Sequence, residues 1–163
     1  SLSGINMNTR VTIKNATSNE LPDVVALWEE HLAYHAACDA YFAKSPDAAL
    51  DFLKFLEDQL AELGLFVAEV DGRRVGFILG EIAHRPPCFA ERVYGMIDDL
   101  AVTADWRGQG VGQELLKHML AWFQEKGIHR IETRVLMSNP LASKFWEQAG
   151  FGAYMRCVYK NIP

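Results

Sequence analysis

The sequence has few cysteines and no long apolar run. Its three cysteines, Cys38, Cys88 and Cys157, lie far apart and lack the paired spacing of disulfide frameworks and zinc sites. We therefore expect neither kind of site, and we predict a reduced, cytoplasmic setting. No stretch approaches the roughly 18 apolar residues that span a bilayer. The first residues also lack the basic and apolar regions of a signal peptide, so no membrane partner is expected.

Positive charge is also scarce, with 16 Lys and Arg against 21 Asp and Glu and a formal net charge of −5. This balance disfavours nucleic acid as a partner and favours a cationic ligand. The length of 163 residues, half of them hydrophobic, predicts one domain with its own core. We expect this domain over residues 7–163 and interpret residues 1–6 as a remnant that precedes a native Met7.

Hydrophobic periodicity predicts an α/β domain with the order β-α-α-β-β-β-α-β-α-β around a mixed sheet. Apolar stripes predict helices after Thr17, over about 47–63, over about 110–126, and from Asn139 as N-cap to about Ala149. Asp71-Gly72 predicts a hairpin turn. The alternating run GAYMRCVYK predicts the last strand.

One stretch, WRGQGVGQELL, places three glycines at alternate positions directly before a helix. Glycine weakens a helix interior by about 0.5–1 kcal/mol relative to alanine, so this junction requires bare backbone. The first N–H groups of a helix lack partners and carry partial positive charge, which suits an anion. Arg107 and Lys117 add positive charge. A tight strand-to-helix connection without a ligand is the alternative.

The glycine spacing excludes two nucleotide motifs. The P-loop pattern is absent, and in a Rossmann fingerprint the third glycine would fall at Gln113. The pattern present is Arg107-x-x-Gly110-x-Gly112, after a strand that ends in LAV. It resembles the pyrophosphate-binding signature of the GNAT family of N-acetyltransferases. Downstream, NPLASKFWEQAGF resembles the second signature region of that family, and the resemblance extends from about residue 11 to 160.

This resemblance implies a GNAT-like α/β fold. Such a fold has a mixed, mostly antiparallel sheet of about six or seven strands, with helices on both faces and a splay between the fourth and fifth strands. Acetyl-CoA, as acetyl donor, would bind in the splay, without a metal. The pyrophosphate would lie on the glycine turn, and the pantetheine arm would pair with strand backbone. The implied cofactor-binding residues are Leu100, Ala101, Val102, Arg107, Gly108, Gln109, Gly110, Val111, Gly112, Gln113, Asn139, Phe145 and Trp146.

Two of these residues have other interpretations. Asn139 is equally explained as a plain helix N-cap. Trp146 stands where the family commonly has a tyrosine that protonates the departing thiolate, and an indole N–H is not a useful acid. We interpret Trp146 more readily as a packing residue. Tyr154, Tyr159 or water are the substitute acids, or the thiolate leaves without one.

The implied reaction is acetyl transfer to a primary amine, which must first lose a proton to a base. The candidate bases are Glu81, Asp98 and Asp99. Regular strand alternation predicts that Asp99 shares a face with Ile97 and Ala101, and that Asp98 shares the other with Leu100 and Val102. The strand also resembles the diamine and thialysine acetyltransferase branch, in which the first of the two acids lies at the amine site. That resemblance makes Asp98 the first choice.

The sequence leaves several functions open. The main hypothesis is an N-acetyltransferase for a small amine of the polyamine, thialysine or amino-acid, or aminoglycoside type. The alternatives are a non-catalytic CoA-binding regulatory module and a protein or peptide N-acetyltransferase. His31 and His35 share a helix face and are interpreted as surface residues, with the acceptor pocket as the alternative. A homodimer is an open possibility that the sequence does not decide.

Overall fold

A computed structural model describes residues 10–163, so the expected remnant and Met7 lie outside the described part of the chain. A five-stranded sheet has the spatial order β1-β2-β3-β4-β5. Neighbouring strands pair antiparallel as far as β4, and β5 pairs parallel to β4. The strands are β1 (Thr12–Asn15), β2 (Gly64–Val70), β3 (Arg73–His84), β4 (Val93–Val102) and β5 (Ile131–Thr133).

Four α-helices cover the two faces of this sheet. One core cluster contains Phe123 and Trp146 and lies between the sheet and the helices α3 and α4. The other contains Val24 and Leu56 and lies between the sheet and α1 and α2. Within residues 10–163 no helix has the length and apolar character needed to cross a membrane. The helices are α1 (Leu21–Cys38), α2 (Ala48–Gln59), α3 (Val111–Glu125) and α4 (Pro140–Gln148).

The mixed, mostly antiparallel sheet with helices on both faces confirms the expected fold class. The hairpin turn also lies where predicted, with positive φ at Asp71 and Gly72. The expected last strand is wrong, because residues 151–163 have no regular secondary structure. A strand forms only when its backbone pairs with a neighbour, and β5 is only three residues long. The sheet therefore has five strands rather than six or seven.

A capping box of Thr17 and the buried Glu20 lies at the entry to α1. The backbone N and Oγ1 of Thr17 donate to Glu20 Oε2 at 2.6 and 2.5 Å. Lys14 and Arg74 form ion pairs with Glu20 Oε1 at 3.1 and 3.4 Å. The Thr17 hydroxyl is the main cause that lowers the pKa of Glu20 to about 2. The ionised Glu20 thus stabilises the junction between β1 and α1.

Replacing Thr17 with alanine is expected to lower the free energy of unfolding by about 1 kcal/mol at pH 7. A carboxyl whose pKa is depressed on folding stabilises above its unfolded pKa and loses that effect as the pH falls through the folded pKa. The difference between the two proteins should therefore shrink between pH 4.5 and about 2. Urea unfolding checks this, with exposed Ser45→Ala as control. Equal stability at pH 7 would contradict it.

Candidate active site

The strands β4 and β5 diverge after a short parallel ladder. Their register runs from Gly95 opposite Ile131 to Ile97 opposite Thr133. The Thr133 hydroxyl closes the ladder by donating to the Ile97 carbonyl at 3.0 Å. β5 ends there, whereas β4 continues to Val102. An opening therefore lies beside the second half of β4, between the fourth and fifth strands as expected.

Backbone groups of β4 face this opening at alternate residues. The Thr103 N–H donates to the Val75 carbonyl of β3 at 2.8 Å. Because successive residues direct their backbone groups to opposite edges, Ala101 also faces β3, while Leu100 and Val102 face the opening. An extended ligand placed there can pair with Leu100 and Val102 like an added strand.

The glycine turn leads directly from this opening into α3. Gly108 and Gly110 have φ of 70° and 87°, a backbone conformation that residues with a side chain rarely adopt. Gly112 lies inside α3, where a Cβ would come within 3.2 Å of Cε2 of Phe145. Gly110 is the N-cap and supplies no side-chain bond to the first turn of α3. The first N–H groups of α3 are therefore available to an anion.

The polar side chains of this turn make internal contacts. Arg107 Nε donates to the Val102 carbonyl at 2.9 Å, and its guanidinium pairs with Glu30 of α1 at 3.4 Å. Gln109 Nε2 donates to the Asp105 carbonyl at 2.9 Å. These bonds engage the polar side chains of the turn and leave its backbone N–H groups as the expected anion-binding element. Side-chain contacts of Arg107 or Gln109 to a cofactor stay predictions.

The second signature region forms the start and the buried face of α4. Asn139 is buried, and its Oδ1 accepts from the Ala142 N–H at 3.1 Å, so its N-cap role is present. Trp146 is only 9% exposed and packs edge-on against Phe145 and Phe151, with ring centroids 5.1 and 4.9 Å away. Trp146 therefore occupies a packing position. Contacts of these residues with a pantetheine arm stay predictions.

A groove on the outer side of α3 adjoins the glycine turn. No spacing in the sequence signals this groove, because residues from α3 and from the end of α4 combine only in three dimensions. Its one charged side chain is Lys117, which the sequence predicts only as a source of positive charge near the glycine turn. The lining residues are Gln113, Leu116, Lys117, Leu120, Ala121, Gln124 and Ala149.

A β-bulge in β4 corrects the predicted faces of the two aspartates. Leu79 of β3 pairs with Asp99, but the next residue pairs with Ile97, so Asp98 is the extra residue. Ile97 and Leu100 both pack in the cluster on the α3 side, with two residues between them instead of one. Asp98 and Asp99 are therefore both displaced from that side. The expectation that Asp98 shares a face with Leu100, and Asp99 one with Ile97, is wrong.

Glu81 lies on the same side of the sheet as the two aspartates. Its neighbours Gly80 and Ile82 face the α3 side, where a Cβ on Gly80 would meet Met119. Alternation along β3 then directs Glu81 to the opposite side. The negative charge of Glu81 is a cause of the raised pKa of Asp98. All three candidate bases thus cluster on the α1 side of the opening.

The environment raises the pKa of both aspartates. Burial raises the pKa of Asp99 to about 6. Asp98 is exposed as a residue, but surrounding atoms limit the hydration of its carboxyl, and Glu81 and Asp99 add negative charge. These causes, in that order, raise the pKa of Asp98 to about 7, with Arg134 in partial opposition. A carboxyl with a pKa near the working pH is suited to general-base catalysis.

His31 of α1 is the neighbour of Asp99. Its Nε2 lies 3.9 Å from Asp99 Oδ1, and its ring stands 4.2 Å from that of His35. Burial first, and then the charges of His35 and Arg107, lower the pKa of His31 to about 4. His31 is thus neutral at pH 7 and leaves Asp99 without a cationic partner there. His31 is thus partly buried beside Asp99, and its place in an acceptor pocket stays a prediction.

A second charged cluster involves Tyr154, the candidate general acid. Its hydroxyl donates to Oε2 of the buried Glu132 at 2.7 Å. Arg85 and Arg130 also bond to Glu132. Burial alone would raise the pKa of Glu132, but Tyr154 and the two arginines outweigh it and hold that pKa below its usual range. Tyr154 would have to exchange this bond to protonate a ligand, and its acid role stays a prediction.

Residues 26–151 match the model of the Acetyltransferase (GNAT) family. This match covers more than half of the chain and includes the opening, the glycine turn and the three acids. The chain therefore belongs to the GNAT family. Among residues 10–163 no group of three or more His, Cys, Asp or Glu side chains is arranged to hold a metal ion.

Three relatives are named for acetyl transfer. The chain is 30% identical over 146 residues to an uncharacterized N-acetyltransferase of Methanocaldococcus jannaschii, covering 90% of this chain but only 62% of that protein. It is 30% identical over 122 residues to an aminoglycoside N(6')-acetyltransferase type 1 of Stenotrophomonas maltophilia, covering 72% and 79%. A shorter match, 35% over 74 residues and covering 45% and 36%, is to an L-2,4-diaminobutyric acid acetyltransferase of Nocardia farcinica.

The fold is also found in solved structures. A predicted acetyltransferase from Clostridium acetobutylicum, crystallised with acetyl-CoA, matches 93% of this chain and 96% of its own. The TM-score is 0.77 and the sequence identity 17%, so this likeness shows the fold.

Proposed function

We propose that the protein is an acetyl-CoA-dependent N-acetyltransferase that transfers the acetyl group directly to a primary amine of a small molecule. The observation that carries this proposal is the meeting of three features at one point of the sheet. These are the opening beside β4, the uncapped start of α3 and the carboxyl groups of Asp98 and Asp99. The first two suit a long anionic donor, and the third suits a cationic acceptor.

The donor would lie along three connected elements. Its pyrophosphate would accept hydrogen bonds from the N–H groups of residues 109–113, and its pantetheine arm would pair with Leu100 and Val102. Its adenosine end would reach the groove beside Lys117, which adjoins the turn. The uncapped α3 start and the edge of β4 that continues beyond its ladder with β5 support this placement. A Leu100 N–H that faces the opening is also suited to stabilise a developing oxyanion.

The acceptor would enter from the α1 side. An ammonium has no free electron pair, so its proton must first pass to a carboxylate. Asp98 is the first choice for this base. The negative charges of Glu81 and Asp99 raise the pKa of Asp98 and so increase its affinity for the proton. The amine nitrogen then attacks the acetyl carbonyl carbon and forms the new C–N bond. As the C–S bond breaks, the nitrogen loses its second proton to leave the amide, and the departing thiolate takes up a proton, directly or through water. Relatives named for an aminoglycoside and for a diamino acid support a small-molecule amine.

A second candidate is a CoA-binding regulatory module without catalysis. It is favoured by Trp146, which is buried where an acid is expected, and by Tyr154, whose hydroxyl is engaged by Glu132. A thiolate whose thiol has a pKa of about 8.5 is nevertheless a fair leaving group near neutral pH, so a missing acid does not prevent transfer.

The proposal of an N-acetyltransferase includes a cytoplasmic setting and no nucleic-acid or membrane partner.

The deciding experiment measures free thiol released from acetyl-CoA with a panel of diamines, diamino acids, aminoglycosides and peptides. We expect at least one small amine to raise the rate well above the background without acceptor. Calorimetric titration with CoA is run on the same preparation. Binding of CoA without acceleration by any amine would support the regulatory module. Acceleration by peptides alone would replace the small-molecule proposal with peptide N-acetylation.

A further inference from the structure

The first positions beyond the β4–β5 ladder bring an acid and an arginine together. The ladder ends at Ile97 opposite Thr133, so the next residue along β4 is Asp98 and the first residue after the end of β5 is Arg134. Paired strands lie about 4.7–4.9 Å apart, and these two positions therefore begin close to each other where the strands separate. The mouth of the opening thus has the carboxyl group of Asp98 on β4 and the guanidinium of Arg134 directly after β5.

Register places both side chains on the same side of the sheet. Glu81 pairs with Met96, which in turn pairs with Glu132, and residues in register share a face. Arg134 lies two residues after Glu132, so continued alternation along the chain places it on the face of Glu132. The bulge displaces Asp98 to this side as well. Arg134 therefore faces the acceptor side of the opening, where the three acids cluster.

Arg134 is available to a ligand. It is exposed, and among residues 10–163 no hydrogen bond or ion pair joins it to another side chain. Arg130, by contrast, is engaged by Glu132. The charge of Arg134 does act on Asp98, because it partly opposes the causes that raise the pKa of that carboxyl. The guanidinium is thus close to the acid cluster but bound to none of its members.

We propose that Arg134 binds a carboxylate of the acceptor, so that the acceptor is an amine that also carries a carboxylate, such as a diamino acid. This inference rests on the proposed function and adds the class of acceptor. The ammonium end would lie at Asp98 and the carboxylate at Arg134, whose planar fork matches a carboxylate with two hydrogen bonds. A diamine or an aminoglycoside lacks the carboxylate, so its positive charge would face an unpaired guanidinium. Arg134 is then a specificity-determining residue.

The test uses acceptor pairs that differ only by the carboxylate. These are L-2,4-diaminobutyrate against 1,3-diaminopropane, and L-lysine against cadaverine. The wild-type protein should prefer the diamino acid of a pair in kcat/KM. At about pH 8.5, where Asp98 is ionised in both proteins, Arg134→Gln should lower kcat/KM for the diamino acids by about 10- to 100-fold, as expected for a lost hydrogen bond between charged groups, and should leave the diamines within about 2-fold. Arg134→Lys keeps the charge and should retain part of the preference.

Arg73→Gln is the matched control, because Arg73 is exposed at the hairpin turn, far from the opening. This variant should leave kcat/KM unchanged for both acceptors of a pair. Equal losses for both acceptors in Arg134→Gln, or a wild-type preference for diamines or aminoglycosides that the variant keeps, would overturn the inference and leave the proposed function standing. If the wild-type protein acetylates no amine at all, the proposed function fails and this inference fails with it.

Discussion

Replacing Gly110 with valine is expected to weaken CoA binding by about 100-fold or more, as expected for the loss of two hydrogen bonds to a charged group. Gly110 has φ of 87° and caps α3 with bare backbone. A β-branched residue is strained in this conformation, and relief of the strain would turn the first N–H groups of α3 away from the pyrophosphate. The valine side chain would also occupy space beside those N–H groups. Calorimetric titration with CoA measures the loss.

Gly127 offers a matched control at the other end of the same helix. It has φ of 73° and no neighbouring atom within 4 Å of an added Cβ. Gly127→Val should therefore lower the free energy of unfolding in a similar way, yet bind CoA with the affinity of the wild-type protein. If both variants lost affinity equally, strain in α3 rather than the anion site would be the cause. If Gly110→Val bound CoA with unchanged affinity, the pyrophosphate would not bind at this turn.

Local signals in the sequence predicted most of the helices and the hairpin. Asn139 before Pro140 predicted the start of α4, because an N-cap followed by proline in the first turn favours a helix, and its Oδ1 does cap that helix. Asp71-Gly72 predicted the turn between β2 and β3, because both residues tolerate positive φ. Each of these elements is determined by residues within a few positions of one another.

Features that depend on distant partners were not predictable in the same way. The run GAYMRCVYK alternates like a strand, but alternation does not supply the neighbouring backbone that a strand needs. The bulge at Asp98 arises from the register between β3 and β4, which two separate segments set together. Because a one-residue shift reverses the faces of a strand, the predicted face of Asp98 was wrong. Asp99 shares a face with Ala101, as predicted, but not with Ile97.

The candidate site shows the same division. The glycine turn is a continuous stretch, so its positive φ values and the bare start of α3 could be predicted from the sequence. The cluster of Glu132, Arg85 and Tyr154 joins three separate segments, and no spacing within the sequence signals it. The position of Arg134 opposite Asp98 likewise follows only from the parallel register. In the proposed function, specificity toward the acceptor would depend on these long-range placements, whereas binding of the donor would depend largely on the local turn.

Replacing Asp98 with asparagine is expected to lower kcat/KM for the amine by about 100-fold or more, the usual effect of removing a general base. The wild-type rate should rise with pH over about pH 6–8, because the base must lose its proton before it can accept one, and the pKa of Asp98 is about 7. This acid limb should be absent in the variant. Initial rates of thiol release at saturating acetyl-CoA, measured over pH 5.5–8.5, provide the test.

Glu81→Gln distinguishes a role of Asp98 from a general effect of charge in the cluster. The negative charge of Glu81 raises the pKa of Asp98, so its removal should move the acid limb to lower pH without abolishing activity. Exposed Asp58→Asn on α2 should change neither rate nor profile. If Asp98→Asn kept the acid limb and Asp99→Asn lost it, the base would be Asp99, whose pKa of about 6 predicts a limb at lower pH.

Stability separates loss of chemistry from loss of fold in these variants. The pKa of Asp98 is raised on folding, so its carboxyl favours the folded state below pH 3.8 and loses that effect as the pH rises through about 7. Above pH 7 the ionised carboxyl therefore opposes folding, and asparagine removes that penalty. Asp98→Asn should accordingly be at least as resistant to urea as the wild-type protein at pH 8, while nearly inactive. A variant both less stable and less active at pH 8 would instead indicate that Asp98 holds the bulge in place.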